Sequence, residues 1–415
     1  MHLIDINDWE LGCFDADGQQ LYRSPCAGSH AEGTLQLGTD AFKTAKSLPQ
    51  AFACHYLGRL NEEQLPNPLG NAKTQADLCF AQFLDMKAHC EVTSAAFLIP
   101  PQISDRQLSL LAGIASAAGI QPLGFIDHSL AYALAKQVEA PLHVLDMGLH
   151  QLYLSRVDIA DGELIVASST QHGIGLLSMV DSWVNVIADE FIQSSRFDPL
   201  HSAQSEQQTF DAVMGWISAG ELPADLKLSI QSDQALRTAT VVAERLQARL
   251  STKLRDINLD TVDALTINQR VAQVPLLSNS LRDRVPELST ASDQALVSSA
   301  LALAADLDPA NLERIRGCSA SAYRPAPADP SAAFSTSETV GTVPDEEAPP
   351  ATHLVHLGVA YSLTDDLFRE FLDADGLLRP GTPTKVDGLP AQTARLRAGQ
   401  EVSLHSQRWL AIQVK

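Results

Sequence analysis

Short apolar runs closed by polar residues, 2–7 ("HLIDIN") and 11–15 ("LGCFD"), predict two short strands. The turn signal Asp15–Gly18 leads into a third, "QQLYRS", so the chain starts as a β-meander. Helical spacing of apolar residues follows over 39–48 and 71–88. "SAAFLIP" (94–100) reads as a buried strand stopped by a Pro-Pro pair. "DRQLSLLAGIASAAGI" (105–120) reads as an amphipathic helix with Ser104 or Asp105 at its N-cap. A strand, "QPLGFID", and a helix, "HSLAYALAKQ", come next.

The pattern then recurs. "PLHVLDM", "LYLSRVD" and "GELIVASST" form a second meander about 140 residues after the first, followed by the helix "LSMVDSWVNVIADEFIQ". The repetition predicts two structurally related halves. Further on, 204–219 and 232–254 read as helices, "VDALTIN" as a strand, "VPLLSNSLRDRV" as a helix and "SDQALVSSALALAADL" as a small-residue helix. From Ser319 to Thr352 the composition turns to Pro, Ala, Ser and acidic residues, which reads as a disordered linker. Residues 353–415 return to strand-like runs and predict a small β-rich unit, with a short helix near Asp365–Leu372. The expected division is 1–140, 141–318, 319–352 and 353–415.

Charge narrows the function classes. The 415 residues carry a formal net charge of -21. A chain this acidic lacks the basic face that nucleic acid or an anionic membrane surface requires. The six cysteines contain no C-x-x-C pair and predict neither a disulfide framework nor a zinc site. No leader and no apolar run long enough for a membrane span is evident, so a cytoplasmic protein is expected.

Three stretches, "LIDINDWELGCFD", "AFLIPPQISDRQLSLLAGIASAAGIQPLGFIDHSLAYALA" and "VLDMGLHQLYLSRV", occur in the order found in the Hsp70 ATPase domain. "LGTDAFKTAKSLPQAFACHYLGRL" (37–60) is similar to the Hsp70 segment that holds its catalytic lysine. Over roughly residues 1–305 the chain resembles an Hsp70-like member of the actin, Hsp70 and sugar-kinase superfamily. That resemblance implies an α/β fold of two lobes (a duplicated ribonuclease-H-like architecture) closing over Mg-ATP. It also implies two hairpin turns whose backbone amides and hydroxyls wrap the phosphates, and acids that hold the metal's waters.

Position by position, the resemblance is of scaffold more than of chemistry. In the first hairpin Asp5 matches, while Asn7, Asp8 and Trp9 stand where Gly-Thr-Thr is expected. Asp8 would set a carboxylate against polyphosphate, a repulsion of about 1 kcal/mol at ~4 Å in water and more in a closed cleft. The family's lysine falls at His55 and its glutamate at Asp127. In the second hairpin Asp146 and Gly148 match, but Leu149, His150 and Gln151 replace two glycines and a threonine. A later Gly-Gly-acid motif is reduced to Gly173 and Gly175, and an adenosine-binding Gly-Gly falls at Asn268 and Gln269.

Several readings stay open on sequence alone. Asp5, Asp127 and Asp146 either face a metal or end strands and cap helices. His55 and His150 either face the cleft or are ordinary surface residues. Trp9 either plugs the cleft or packs under the sheet. The expectation is a pseudo-ATPase acting as a scaffold for an unidentified protein partner, with no cofactor. The alternative is a diverged, active Mg-ATP-dependent ATPase or Hsp70-like chaperone, in which Asp127, Asp146 and His55 are catalytic and Asp5 and Asp146 hold magnesium through water. The short segment after the linker leaves no room there for a peptide-binding domain with a helical lid, so ATP-cycled chaperoning is not expected.

Overall fold

The structure is a computed structural model that describes residues 1–31, 33–136, 141–232, 235–319 and parts of 351–412. Its described residues group into two compact units divided between Ala328 and Asp329. The linker proposed for 319–352 lies almost wholly outside the described residues.

The first unit holds two six-stranded mixed sheets. In the first sheet, β1 (His2–Ile6), β2 (Glu10–Phe14) and β3 (Gln20–Pro25) form the antiparallel meander. Strand β4 (Ser94–Ile99) pairs parallel with β1, and β5 (Gln121–Asp127) pairs parallel with β4. In the second sheet, β6 (Leu142–Met147), β7 (Leu152–Ala160) and β8 (Glu163–His172) form the second meander. There β9 (Ala264–Ile267) and β10 (Glu287–Thr290) extend β6 in parallel. The two sheets therefore share one pairing order. The chain then adds β11 (Arg314–Ile315) to the first sheet and β12 (Gly317–Ser319) to the second, tying their edges together within six residues.

Helix α1 (Gln75–His89) starts with a capping box between Thr74 and Asp77, and α2 (Asp105–Ala117) with one between Ser104 and Gln107. Of the two residues expected at this N-cap, Ser104 takes the position and Asp105 is the first helical residue. Helix α3 (His128–Lys136) is buried at every position from His128 to Leu134, the behaviour of a helix that is apolar all round. With α8 (Asp293–Ala304) it contributes to one core that also takes Leu3 and Leu98 from the first sheet and Val144 and Val157 from the second. Between these lie α4 (Leu176–Ser195), α5 (Ala203–Ala219), α6 (Ala243–Leu254) and α7 (Gln269–Gln273).

Several local expectations are corrected. The helix expected over 39–48 is helical only at Thr39–Phe42, and that expected over 71–88 begins after a short strand, Ala72–Thr74. The segment 232–254 is helical only from Ala243. Before it, Lys227–Gln231 and Leu236–Thr240 pair as antiparallel strands, where Thr238, Thr240, Val241 and Val242 favour extended backbone. "VPLLSNSLRDRV" shortens to Leu277–Arg282 because Pro275 lacks an N–H and Leu276 turns to a φ of 66°.

In the second unit, six short strands form one sheet around a small core that includes Leu354, Phe368 and Val402. The helix expected near 365–372 falls largely outside the described residues.

Candidate functional site

Strands β1 and β6 end side by side, and each delivers an acid to the space between the sheets. Asp5 and Asp146 are both buried. Between them lies Arg270, in the first turn of α7, at 3 % exposure. Its Nη1 reaches Asp5 Oδ2 at 2.7 Å and its Nε stands 3.6 Å from Asp146 Oδ1. His128, the first residue of α3, places Nε2 2.5 Å from Asp5 Oδ1 and Nδ1 3.6 Å from Asp146 Oδ2. Asn268 donates from Nδ2 to Asp146 Oδ1, and its own Oδ1 caps α7 by accepting from Val271 N at 2.9 Å.

Local geometry explains this convergence. Asn268 as N-cap starts α7 directly at the end of β9, so the second helical residue points inward while Gln269 is exposed. Burial alone would raise the Asp5 carboxyl, but Arg270 and His128 pull it well below the usual carboxylate range. Asp5 is therefore a fixed anion.

The turns beyond these strands interlock. Gly148 and Leu149 follow β6, and Asp8 follows β1. Asp8 Oδ1 accepts the Leu149 N–H at 2.9 Å, and the His150 N–H also acts on that carboxylate. Asn7 Nδ2 donates to Met147 O at 3.2 Å, while Asn7 Oδ1 accepts Trp9 N at 2.8 Å. A β-carbon on Gly148 would sit 1.7 Å from Asp8 Oδ1. Gly148 is required because a carboxylate lies against its backbone. Gly175, ahead of α4, is needed likewise: a β-carbon there would strike the His150 backbone at 2.3 Å. Gly173 is exposed.

Burial pushes Asp8 up to about 6, against the lowering effect of the two turn amides. At pH 7 it is still mostly an anion, held by N–H groups that face it.

Trp9 and Leu149 do not plug this space. Both join the hydrophobic core that contains Met147, Leu176 and Trp183. Asp127 is fully buried, and both its oxygens are engaged: Ser129 donates to Oδ1 from N at 3.0 Å and from Oγ at 2.5 Å, and Arg314 Nη2 stands 3.2 Å from Oδ2. This is the helix-capping reading of that acid. His55 stacks on His150, with ring centroids 3.5 Å apart and planes at 15°. Burial lowers both rings, His150 to about 4 with the neighbouring His55 adding to it. These rings border a cavity of about 450 Å³ that Asp8 also lines.

The sequence reading therefore brings Asp5, Asn7, Asp8, Asp146, Gly148, Leu149, His150 and Asn268 together, with His55 beside them. It missed Arg270, His128 and Arg314, the residues that neutralise the acids. Arg270 had one available signal: a lone base between two apolar blocks, two residues after an asparagine able to cap.

No protein-family model matches the chain. Over 233 residues, 50% of this chain, it is 22% identical to the chaperone protein dnaK of Phaeodactylum tricornutum (strain CCAP 1055/1). That likeness supports a distant Hsp70-like relationship. The match covers 38% of the dnaK chain. Among the described residues no helix is long and apolar enough to cross a membrane.

Proposed function

We propose that this protein is an Hsp70/actin-type pseudo-ATPase whose two sheets are the lobes of a duplicated fold, serving as a protein-binding or scaffold module. One observation supports it above others. The groups that the resemblance would assign to magnesium and phosphate are engaged within the chain: Arg270 is paired with Asp5 and stands beside Asp146, whose Oδ1 accepts from Asn268, and Asp8 occupies the amides of the second turn, although Asp146 Oδ2 is left without a hydrogen-bond partner.

A nucleotide entering the cleft must break a buried ion pair and displace a buried carboxylate from its donors. Removing one partner of a buried pair costs about 3–5 kcal/mol. That is about two to four decades in dissociation constant, enough to move an ordinary nucleotide site out of its working range. Catalysis suffers as well. With a guanidinium against the acids, magnesium loses its anionic anchor, and Asp127 is held by Ser129 and Arg314.

What remains for the body to offer is surface. The β-rich terminal unit would act as a tethered second contact for the same protein partner, raising its local concentration. The test is phosphate release from Mg-ATP by the full chain: a rate at the buffer blank is expected. Turnover that disappears on Asp146→Asn would sink the proposal.

The likeness to a chaperone protein favours one further reading, a chaperone-like hold on unfolded clients without an ATP cycle. Suppression of the aggregation of a denatured client at stoichiometric ratio would support it; no effect ends it.

A further inference from the structure

Cys54, His55 and His150 come together although nothing in their sequence spacing announces it. Two are adjacent on the loop after the short strand Phe52–Ala53, and the third is supplied by the turn beyond β6. One potential ligand atom from each lies within 4.8 Å of the other two. Cys54 Sγ stands 3.6 Å from His150 Nε2. In a tetrahedral zinc site, with Zn–S of ~2.3 Å and Zn–N of ~2.0–2.1 Å, a sulfur and a nitrogen ligand are separated by ~3.6 Å.

We propose that Cys54, His55 and His150 form a three-ligand site for a thiophilic divalent cation of the zinc class. One thiolate and two imidazoles suit zinc better than magnesium or calcium, which take oxygen ligands. All three side chains line the cavity of about 450 Å³, so the fourth position opens to solvent. Arg59 lines the same cavity and opposes a cation there, while Asp8 and Asp181 favour it.

Loading requires three local changes. The Cys54 thiol gives its proton to solvent as the sulfur–metal bond forms. His55 leaves its stack on His150, because rings 3.5 Å apart and at 15° aim their in-plane lone pairs alongside each other and not at one point. His150 Nε2, now 3.2 Å from the Cys54 carbonyl oxygen, turns from that oxygen to the ion. The bound ion then links the loop at 54–55 to the turn at 148–150, where Asp8 is seated. The three ligands include none of the paired acids, and their test uses the metal alone, without nucleotide.

Cobalt(II) titrated into the chelator-treated full chain tests it. One equivalent should bind, with a thiolate-to-cobalt charge-transfer band and tetrahedral visible bands, and zinc should displace it. Cys54→Ser should abolish the charge-transfer band, and His55→Gln and His150→Gln should each weaken binding at least about tenfold. Cys79→Ser, a buried thiol elsewhere, should change nothing. The proposal is overturned by no binding, by a spectrum without the thiolate band, or by affinity unchanged in both histidine variants. The last two outcomes mark an adventitious ion only. The histidine variants decide alone if Cys54→Ser does not fold, since His55 and His150 are only partly buried.

Discussion

Asp8 Oδ1 accepts the backbone N–H of Leu149 at 2.9 Å, so the acid of one hairpin turn occupies the amides of the other. A carboxylate is a small anion, and successive backbone N–H groups in a turn bind anions whatever their source. Under the proposed function, Asp8 acts as an internal anion at the turn where a phosphate would otherwise sit.

Asp8→Asn tests the electrostatic side of this contact. Burial holds the folded carboxyl at about 6 against an ordinary 3.8. The folded state therefore keeps its proton to higher pH, and stability falls as pH rises from about 4 to about 6. Asparagine retains an oxygen for the Leu149 N–H and loses the charge. The variant should be more stable than wild type by about 1–3 kcal/mol at pH 7, with the difference closing near pH 4. Urea unfolding at the two pH values reads it.

His150 acts with the opposite sign. Its ring is lowered to about 4, first by burial and then by His55. The folded state binds fewer protons than the unfolded, so the stability contributed by the neutral ring is present above about 6.5 and is lost as pH falls toward 4. His150→Gln should leave stability near pH 7 little changed and improve it relative to wild type below pH 6. Thermal unfolding across that range would show no such divergence if the ring titrated normally.

Gly148→Ala should destabilise the protein by about 1–3 kcal/mol, through collision of the new β-carbon with Asp8. The collision disappears in an Asp8→Ala background. A double-mutant cycle should return a coupling of at least about 1 kcal/mol, and additivity would mean the two turns do not touch.

Arg270→Met should destabilise by about 3–5 kcal/mol, since it leaves Asp5 and Asp146 buried without their guanidinium. A change below about 1 kcal/mol in the denaturant midpoint analysis would contradict the buried-pair geometry.

Much of the scaffold was legible because period and capping are local. The apolar runs of His2–Asn7 and Leu11–Asp15, the capping signal at Ser104 or Asp105 and the apolar run after His128 each predict one element, and each element is there. The helix expected over 232–254 forms only from Ala243, because β-branched residues around Val241 compete with helical spacing before it, a contest decided by the strand Lys227–Gln231 beside Leu236–Thr240. The site was legible only in part. Asn7, Asp8, Leu149 and His150 depart from a phosphate-binding pattern, and that much is read from residue type. Which residues fill the space depends on side-chain direction at the start of α7 and α3, set by where β9 and β5 end. Arg270 and His128 are 265 and 123 residues from Asp5, and no local pattern links them.

The most direct measurement is a calorimetric titration of Mg-ATP into the full chain, repeated as a thermal shift. The expected result is no saturable heat and no shift at millimolar nucleotide. Saturable micromolar binding, with the stabilisation of about 2.7 kcal/mol that a ligand gives at a hundred times its dissociation constant, would contradict the claim that Arg270 and Asp8 have taken the nucleotide's place.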